Sequence, residues 1–131
     1  MKDLLCDEFQ NAVAEYLVRH RSVLDILTKF QESNARVNRA IVKAVTSCGC
    51  VKINAEKQTY PSDISLTELK EYMGTHLAGQ ICDNCREHIE NEIGTNLFYL
   101  AALCNLLDVN MYDILLKERK KLGALGIFSF C

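Results

Sequence analysis

Apolar residues recur at spacings of three and four over most of this chain, which is the period of an amphipathic α-helix. The first such run covers residues 4–31 without a glycine or proline, and it predicts one long helix. A second run begins after a capping residue, Ser33 or Asn34, and continues to Thr46 before Gly49 ends it. The pattern therefore predicts two helices in the first 50 residues.

The second half of the chain is also mainly helical in its pattern. Residues 65–68, Ser-Leu-Thr-Glu, form a capping-box sequence that predicts the start of a helix. Apolar stripes over 81–107 and 111–122 predict two more helices. Between residues 97 and 107 only Asn105 is strongly polar, so this helix is expected at the centre of a bundle or in an oligomer interface.

Between these halves lies a stretch with no clear period. Residues 52–63 contain the only proline of the chain, and they predict an irregular connection with a short extended piece around 51–54. With the cysteines that precede it, the connection covers about 48–63. A length of 131 residues suits one core, so we expect a single domain over residues 1–131. Its predicted class is all-α, a helical bundle of about four to five helices.

Composition and charge narrow the function classes. The chain is 49% hydrophobic with a formal charge of -2, so it lacks the basic surplus of a nucleic-acid-binding protein, and no nucleic-acid partner is expected. Acidic residues follow a short apolar start at the N-terminus, which resembles neither a secretory signal nor a membrane span. The expected location is the cytoplasm, with no membrane partner.

Seven cysteines are many for a cytoplasmic protein, where thiols bind metals or do redox chemistry more often than they form disulfides. Two close pairs stand out, Cys48 with Cys50 and Cys82 with Cys85. Four thiolates suit a closed tetrahedral zinc site of structural type, and they also fit an iron–sulfur cluster. Two alternatives stay open at this point: the four residues are ordinary buried thiols, or they form a reactive dithiol.

The last third of the chain resembles a known family. The residues that carry the resemblance are Glu92-Ile93-Gly94, the apolar run 97–103, and the segments 108–115 and 117–122. Together they are similar to the last two helices of MazG-like proteins, which belong to the all-α nucleoside triphosphate pyrophosphohydrolases. The resemblance implies a helical bundle, usually oligomeric, in which carboxylate pairs on two helices hold Mg²⁺ against the phosphates of a nucleotide.

The acids that this resemblance implies are incomplete. Glu92 stands at the first acidic position of the later pair, Thr95 stands where an aspartate would be, and Asn96 offers an oxygen nearby. The earlier helix has basic and amide residues, Asn38 among them, and only Glu32 at its edge could supply a carboxylate. Mg²⁺ prefers several hard oxygen ligands, so this set predicts a degenerate Mg²⁺ site.

The sequence therefore predicts a nucleotide-binding or regulatory relative of the family rather than an efficient enzyme. One alternative is a working pyrophosphohydrolase that converts a nucleoside triphosphate to the monophosphate and pyrophosphate. Its metal ligand would be Glu92, with oxygens from Glu32, Asn38 or Asn96. A second alternative is a structural or interaction protein in which the metal ion fixes the fold. A third alternative is that Glu92 has no ligand and belongs to a solvated edge of its helix.

The chain is apolar to its last residue. Residues 122–131 contain no charge, and such a segment is expected to pack, either within the same chain or against a neighbouring subunit. With the apolar helix before it, this favours a homo-oligomer, most simply a dimer.

Overall fold

A computed structural model describes residues 2–126 and confirms the all-α class, with five α-helices and one small two-stranded sheet in that range. The elements in chain order are α1 (Lys2–Tyr16), α2 (Val23–Lys43), a π-helical turn (Ala44–Cys48), β1 (Val51–Ile53), α3 (Leu66–Tyr72), β2 (Leu77–Gly79), α4 (Asp83–Leu106) and α5 (Met111–Leu125).

The two helices predicted for the first 50 residues have their boundary in the wrong place. The chain leaves the helix after Tyr16, passes through a left-handed residue at His20, and begins α2 after Ser22, whose hydroxyl accepts a hydrogen bond from the Leu24 amide. The helix then continues through Ser33, whose hydroxyl donates to the Phe30 carbonyl inside the helix and caps nothing. A periodic apolar pattern does not show such a break, because both segments have the same period.

The remaining helix predictions agree with the structure. Ser65 caps α3 by accepting from the Glu68 amide, and Asn110 caps α5 by accepting from the Asp113 amide. The predicted extended piece is β1. Its antiparallel partner β2, which places Gly79 opposite the first residue of β1, was not predicted.

The buried residues form two clusters along the α2–α4 pair. One lies between α1, α2 and α4, and the other lies where α2 and α4 meet β1. Asn96 on α4 sits between them and donates to Ser33 Oγ at 3.0 Å and to Asn34 Oδ1 at 2.5 Å on α2. The first cluster contains Val13, Ile26, Ala101 and Ala102, and the second contains Ala40, Ala44, Val51 and Ile89.

Helix α5 leaves α4 at an angle of 103° and begins against α1. Gln10 on α1 fixes this corner, since its side chain donates to the Val109 carbonyl and accepts from the Met111 amide. No residue of α5 is fully buried, and only a few, near its start, are half-buried. The apolar tail predicted to dock, residues 127–131, lies outside the described residues.

Within residues 2–126, no single helix is both long and apolar enough to cross a membrane. Only α4 and α5 taken together reach that length and composition, and they are the pair bent by 103°.

Candidate metal centre and adjoining groove

Two cysteine pairs that are more than thirty residues apart in sequence meet at one end of the α2–α4 pair. The sulfur atoms of Cys48, Cys50, Cys82 and Cys85 all lie within 4.8 Å of one another. Cys48 ends the π-helical turn and Cys50 immediately precedes β1, while Cys82 caps α4 and Cys85 lies in its first turn. The predicted four-cysteine cluster is therefore present, and it could hold a metal ion.

Two glycines with positive φ allow the backbone to bring these cysteines together. Gly49 has φ 79°, a left-handed conformation that reverses the chain between Cys48 and Cys50. Gly79 has φ 87°, and a Cβ atom on it would lie 2.7 Å from the Cys50 carbonyl oxygen. Any larger residue at 79 would push β2 away from the strand that carries Cys50.

The spacing of the sulfurs suits a tetrahedral ion. A Zn–S bond of about 2.3 Å places neighbouring sulfurs about 3.8 Å apart in a tetrahedron. Cys48 Sγ and Cys82 Sγ are 3.7 Å apart, and no pair among the four exceeds 4.8 Å. An ion at the centre would need to draw the widest pairs together by only about 1 Å.

The N-terminus of α4 favours the thiolate form of one cysteine, Cys82. The Cys85 amide donates to Cys82 Sγ at 3.4 Å, and with the neighbouring thiols it lowers the pKa of Cys82 to about 7. The thiol of Cys85 donates to the same sulfur, and this bond together with partial burial raises the pKa of Cys85 to about 12. The protein alone therefore favours one thiolate near neutral pH, and a cation is needed to stabilise several.

The cluster is attached to the second buried cluster. Cys50 and Cys85 pack against it, and Cys50 Sγ donates to the Ala44 carbonyl at 3.8 Å. Neither His76 nor His88 belongs to the group of four, so the described residues favour an all-thiolate set. Two other cysteines, Cys6 and Cys104, lie near each other and away from this site, and partial burial raises the pKa of both thiols.

A groove runs along the antiparallel α2–α4 pair from the cysteine cluster. Next to the cluster it contains a cavity of about 500 Å³, and a second cavity of about 210 Å³ adjoins it further along. Both cavities are lined by Glu32, Arg36 and Glu92. The end near the cysteines adds Arg39, Lys43 and His88, and the far end adds Lys29, Ser33, Thr95 and Tyr99.

Cations dominate this groove. Glu32 pairs with Arg36 at 3.2 Å and with Lys29 at 3.6 Å, and these two partners, Arg36 first, lower the pKa of its carboxyl group. Among the side chains that the structure describes, those of residues 4–126, no carboxylate lies within 4 Å of Arg39 or Lys43. The charge of Glu32 is thus already balanced, while the cysteine end of the groove has two cations available for an anion.

The structure brings together most of the residues predicted for the nucleotide site. Glu92, Thr95 and Glu32 line the groove, whereas the Asn96 amide points across to α2 and is used in helix packing. Asn38 is exposed on α2 and does not line either cavity.

The sequence analysis did not predict that His88 and Tyr99 line this groove. A signal was available, because His88, Glu92, Thr95 and Tyr99 follow one another at spacings of four, three and four, which places them on one face of α4.

Comparisons with protein-family models, curated proteins and solved structures gave no match to this chain.

Proposed function

We propose that this chain is a MazG-like nucleotide-binding protein with a structural zinc ion and little hydrolytic activity. The observation that supports it best is the groove between α2 and α4. Near the four-cysteine cluster, this groove is lined by Arg39 and Lys43 and by one carboxylate without a salt bridge to any described side chain, Glu92. The proposed ligand is a nucleoside triphosphate, and the proposed metal at the cysteines is zinc.

The zinc proposal rests on the donor set. Four thiolates leave no coordination position for water or substrate, so the ion would be structural. It would connect the π-helical turn and the start of β1 to the first turn of α4. Elemental analysis of the purified protein tests this proposal, with one zinc per chain expected. Iron with inorganic sulfide and visible absorbance would instead identify an iron–sulfur cluster.

The nucleotide proposal rests on charge. Arg36, Arg39 and Lys43 follow at positions i, i+3 and i+7, so they lie on one face of α2 over about 10 Å. Arg39 and Lys43 present donors that are not committed to a carboxylate of the described chain. Guanidinium and ammonium groups bind phosphate oxygens strongly, so such a row suits a polyphosphate chain.

The acids that remain argue against efficient hydrolysis. Glu92 is one carboxylate, and Glu32 is held by two cations. The Thr95 hydroxyl donates its proton to the Asn91 carbonyl at 3.2 Å and carries no charge, so it cannot replace an aspartate. Mg²⁺ in phosphate chemistry needs carboxylates that fix it beside the attacking water. In this groove only Glu92 could bind Mg²⁺ without first breaking a salt bridge, because Glu32 is paired with Lys29 and Arg36.

Calorimetric titration with a nucleoside triphosphate and Mg²⁺ tests the binding. The double variant Arg39→Ala with Lys43→Ala should weaken binding at least tenfold, since two charge-assisted contacts are lost. A matched control is Arg119→Ala with Lys120→Ala, which removes the same charge from exposed positions of α5. Unchanged affinity in the groove variant would refute the site. Pyrophosphate release that disappears in Glu92→Ala would identify a working enzyme instead.

A second candidate function is that of a metal-stapled interaction protein that forms a dimer. Helix α5 favours it, because Ile114, Leu115, Leu122 and Leu125 remain 43–58% exposed. Apolar stripes of this kind usually mark a contact surface. Native mass measurement tests the dimer. This function would be favoured over nucleotide binding if Cys48→Ser with Cys50→Ser unfolds the protein, while Glu92→Ala and the double variant Arg39→Ala with Lys43→Ala leave nucleotide binding unchanged.

A further inference from the structure

The two ends of the α2–α4 groove differ in chemistry. The end beside the cysteines is lined by Arg39, Lys43 and His88, which are all donors when protonated. The opposite end has an aromatic ring, Tyr99, the hydroxyls of Thr95 and Ser33, and Lys29, whose ammonium group is paired with Glu32. Since Thr95 donates its proton to a main-chain carbonyl, its oxygen faces a ligand mainly as an acceptor. One end therefore suits an anion, and the other suits a flat group that carries N–H or O–H donors.

Tyr99 is held in place for such a contact. Its ring packs at 82° to the ring of Phe98, with centroids 5.2 Å apart, and Phe98 packs against the first buried cluster. Tyr99 itself is only half-buried and lines the cavity. A ring that is already packed against a neighbouring ring loses less freedom when a ligand stacks on it.

The distance between the ends fits one extended ligand. Along α4, Tyr99 lies eleven residues after His88, which corresponds to about 16 Å of helix. This is comparable with the length of a nucleoside triphosphate from its base to its terminal phosphate. Glu92 lies between the two ends, beside the place where the middle of such a ligand would be.

We propose that Tyr99 stacks on the base of the bound nucleotide, while Arg39 and Lys43 hold its phosphates beside the cysteine cluster. This inference rests on the nucleotide binding proposed above and adds the direction of the ligand and the residue that distinguishes a nucleotide from a bare polyphosphate. Stacking on aromatic side chains tolerates every base, so the site should show little base preference.

The test compares two probes in the presence of Mg²⁺: inorganic tripolyphosphate and adenosine triphosphate. The wild-type protein should bind the nucleotide about tenfold more tightly, as one stacked base contributes. Tyr99→Ala should remove that advantage and leave tripolyphosphate binding unchanged, whereas Tyr99→Phe should keep it. Tyr60→Ala is the matched control, because Tyr60 is exposed in the connection and lines neither cavity.

The outcomes separate the two proposals. If neither probe binds, the proposed function fails and the inference fails with it. If both probes bind equally and Tyr99→Ala changes neither affinity, the groove binds phosphate but the role of Tyr99 is refuted. If Tyr99→Ala weakens both probes to the same extent, the residue supports the fold of the groove and does not contact a base, which also overturns the inference.

Discussion

Removal of the zinc ion proposed at the cysteine cluster should lower the melting temperature of this protein substantially. The second buried cluster consists of Ala40, Ala44, Val51 and Ile89, and its two alanines bury little apolar area. The cysteine site lies directly beside it and joins the π-helical turn, β1 and α4, each of which contributes only one buried residue to that cluster. Much of the stability at this end of the bundle should therefore depend on the ion, since metal binding to a folded site is folding free energy.

The size of the decrease in melting temperature follows from the linkage between zinc binding and folding. Free zinc at a thousand times its dissociation constant stabilises the folded state by about 4.1 kcal/mol. With an unfolding entropy of about 2.1 cal/mol/K per residue, a chain of 131 residues would melt about 15 °C lower without zinc. Differential scanning calorimetry of the protein with zinc and after treatment with a chelator measures this shift.

Two cysteine variants complete the experiment. Cys85→Ser removes one thiolate, so the melting temperature should become independent of zinc. Cys6→Ser changes a cysteine outside the cluster and should keep both the bound zinc and the full shift. Equal melting temperatures with and without zinc in the wild-type protein, or loss of zinc in both variants alike, would refute the reasoning.

Four further predictions concern single positions and pH. Gly79→Ala should reduce zinc affinity and stability, because the new Cβ would lie 2.7 Å from the Cys50 carbonyl; a normal zinc titration would contradict this. Gly94→Ala, in open space on α4, should raise the free energy of unfolding by about 0.5–1 kcal/mol in urea, and any loss would count against the described helix. Asn96→Ala should lower the free energy of unfolding by about 1–2 kcal/mol, since two hydrogen bonds between α2 and α4 are lost; an unchanged urea midpoint would show that these bonds do not form. Zinc affinity should fall as the pH drops, because protons compete for the thiolates, and the fall should steepen below about pH 7, where Cys82 also takes up a proton; a chelator competition that gives equal affinities at pH 6 and pH 8 would exclude thiolate ligation.

Local sequence determined much of the helical architecture. The apolar period located α4 and α5, and the capping residue Ser65 marked a helix start that the structure confirms. Helix periodicity and capping depend on residues within one or two turns, so a single sequence contains this information. The apolar period did not reveal the break between α1 and α2, because both helices share that period; the break is visible in the left-handed residue His20 and in the Ser22 cap of α2.

For the two sites, the sequence supplied the residue types and the tertiary structure decided which of them meet. The spacing of Cys48 with Cys50 and of Cys82 with Cys85 suggested four ligands, but their approach to within 4.8 Å depends on the chain between them returning through β2 to the start of α4. Likewise, only the antiparallel packing of α2 on α4 brings the cations of one helix opposite Glu92 of the other. Contacts between residues thirty or more positions apart are set by packing of the whole chain, and no local pattern encodes them.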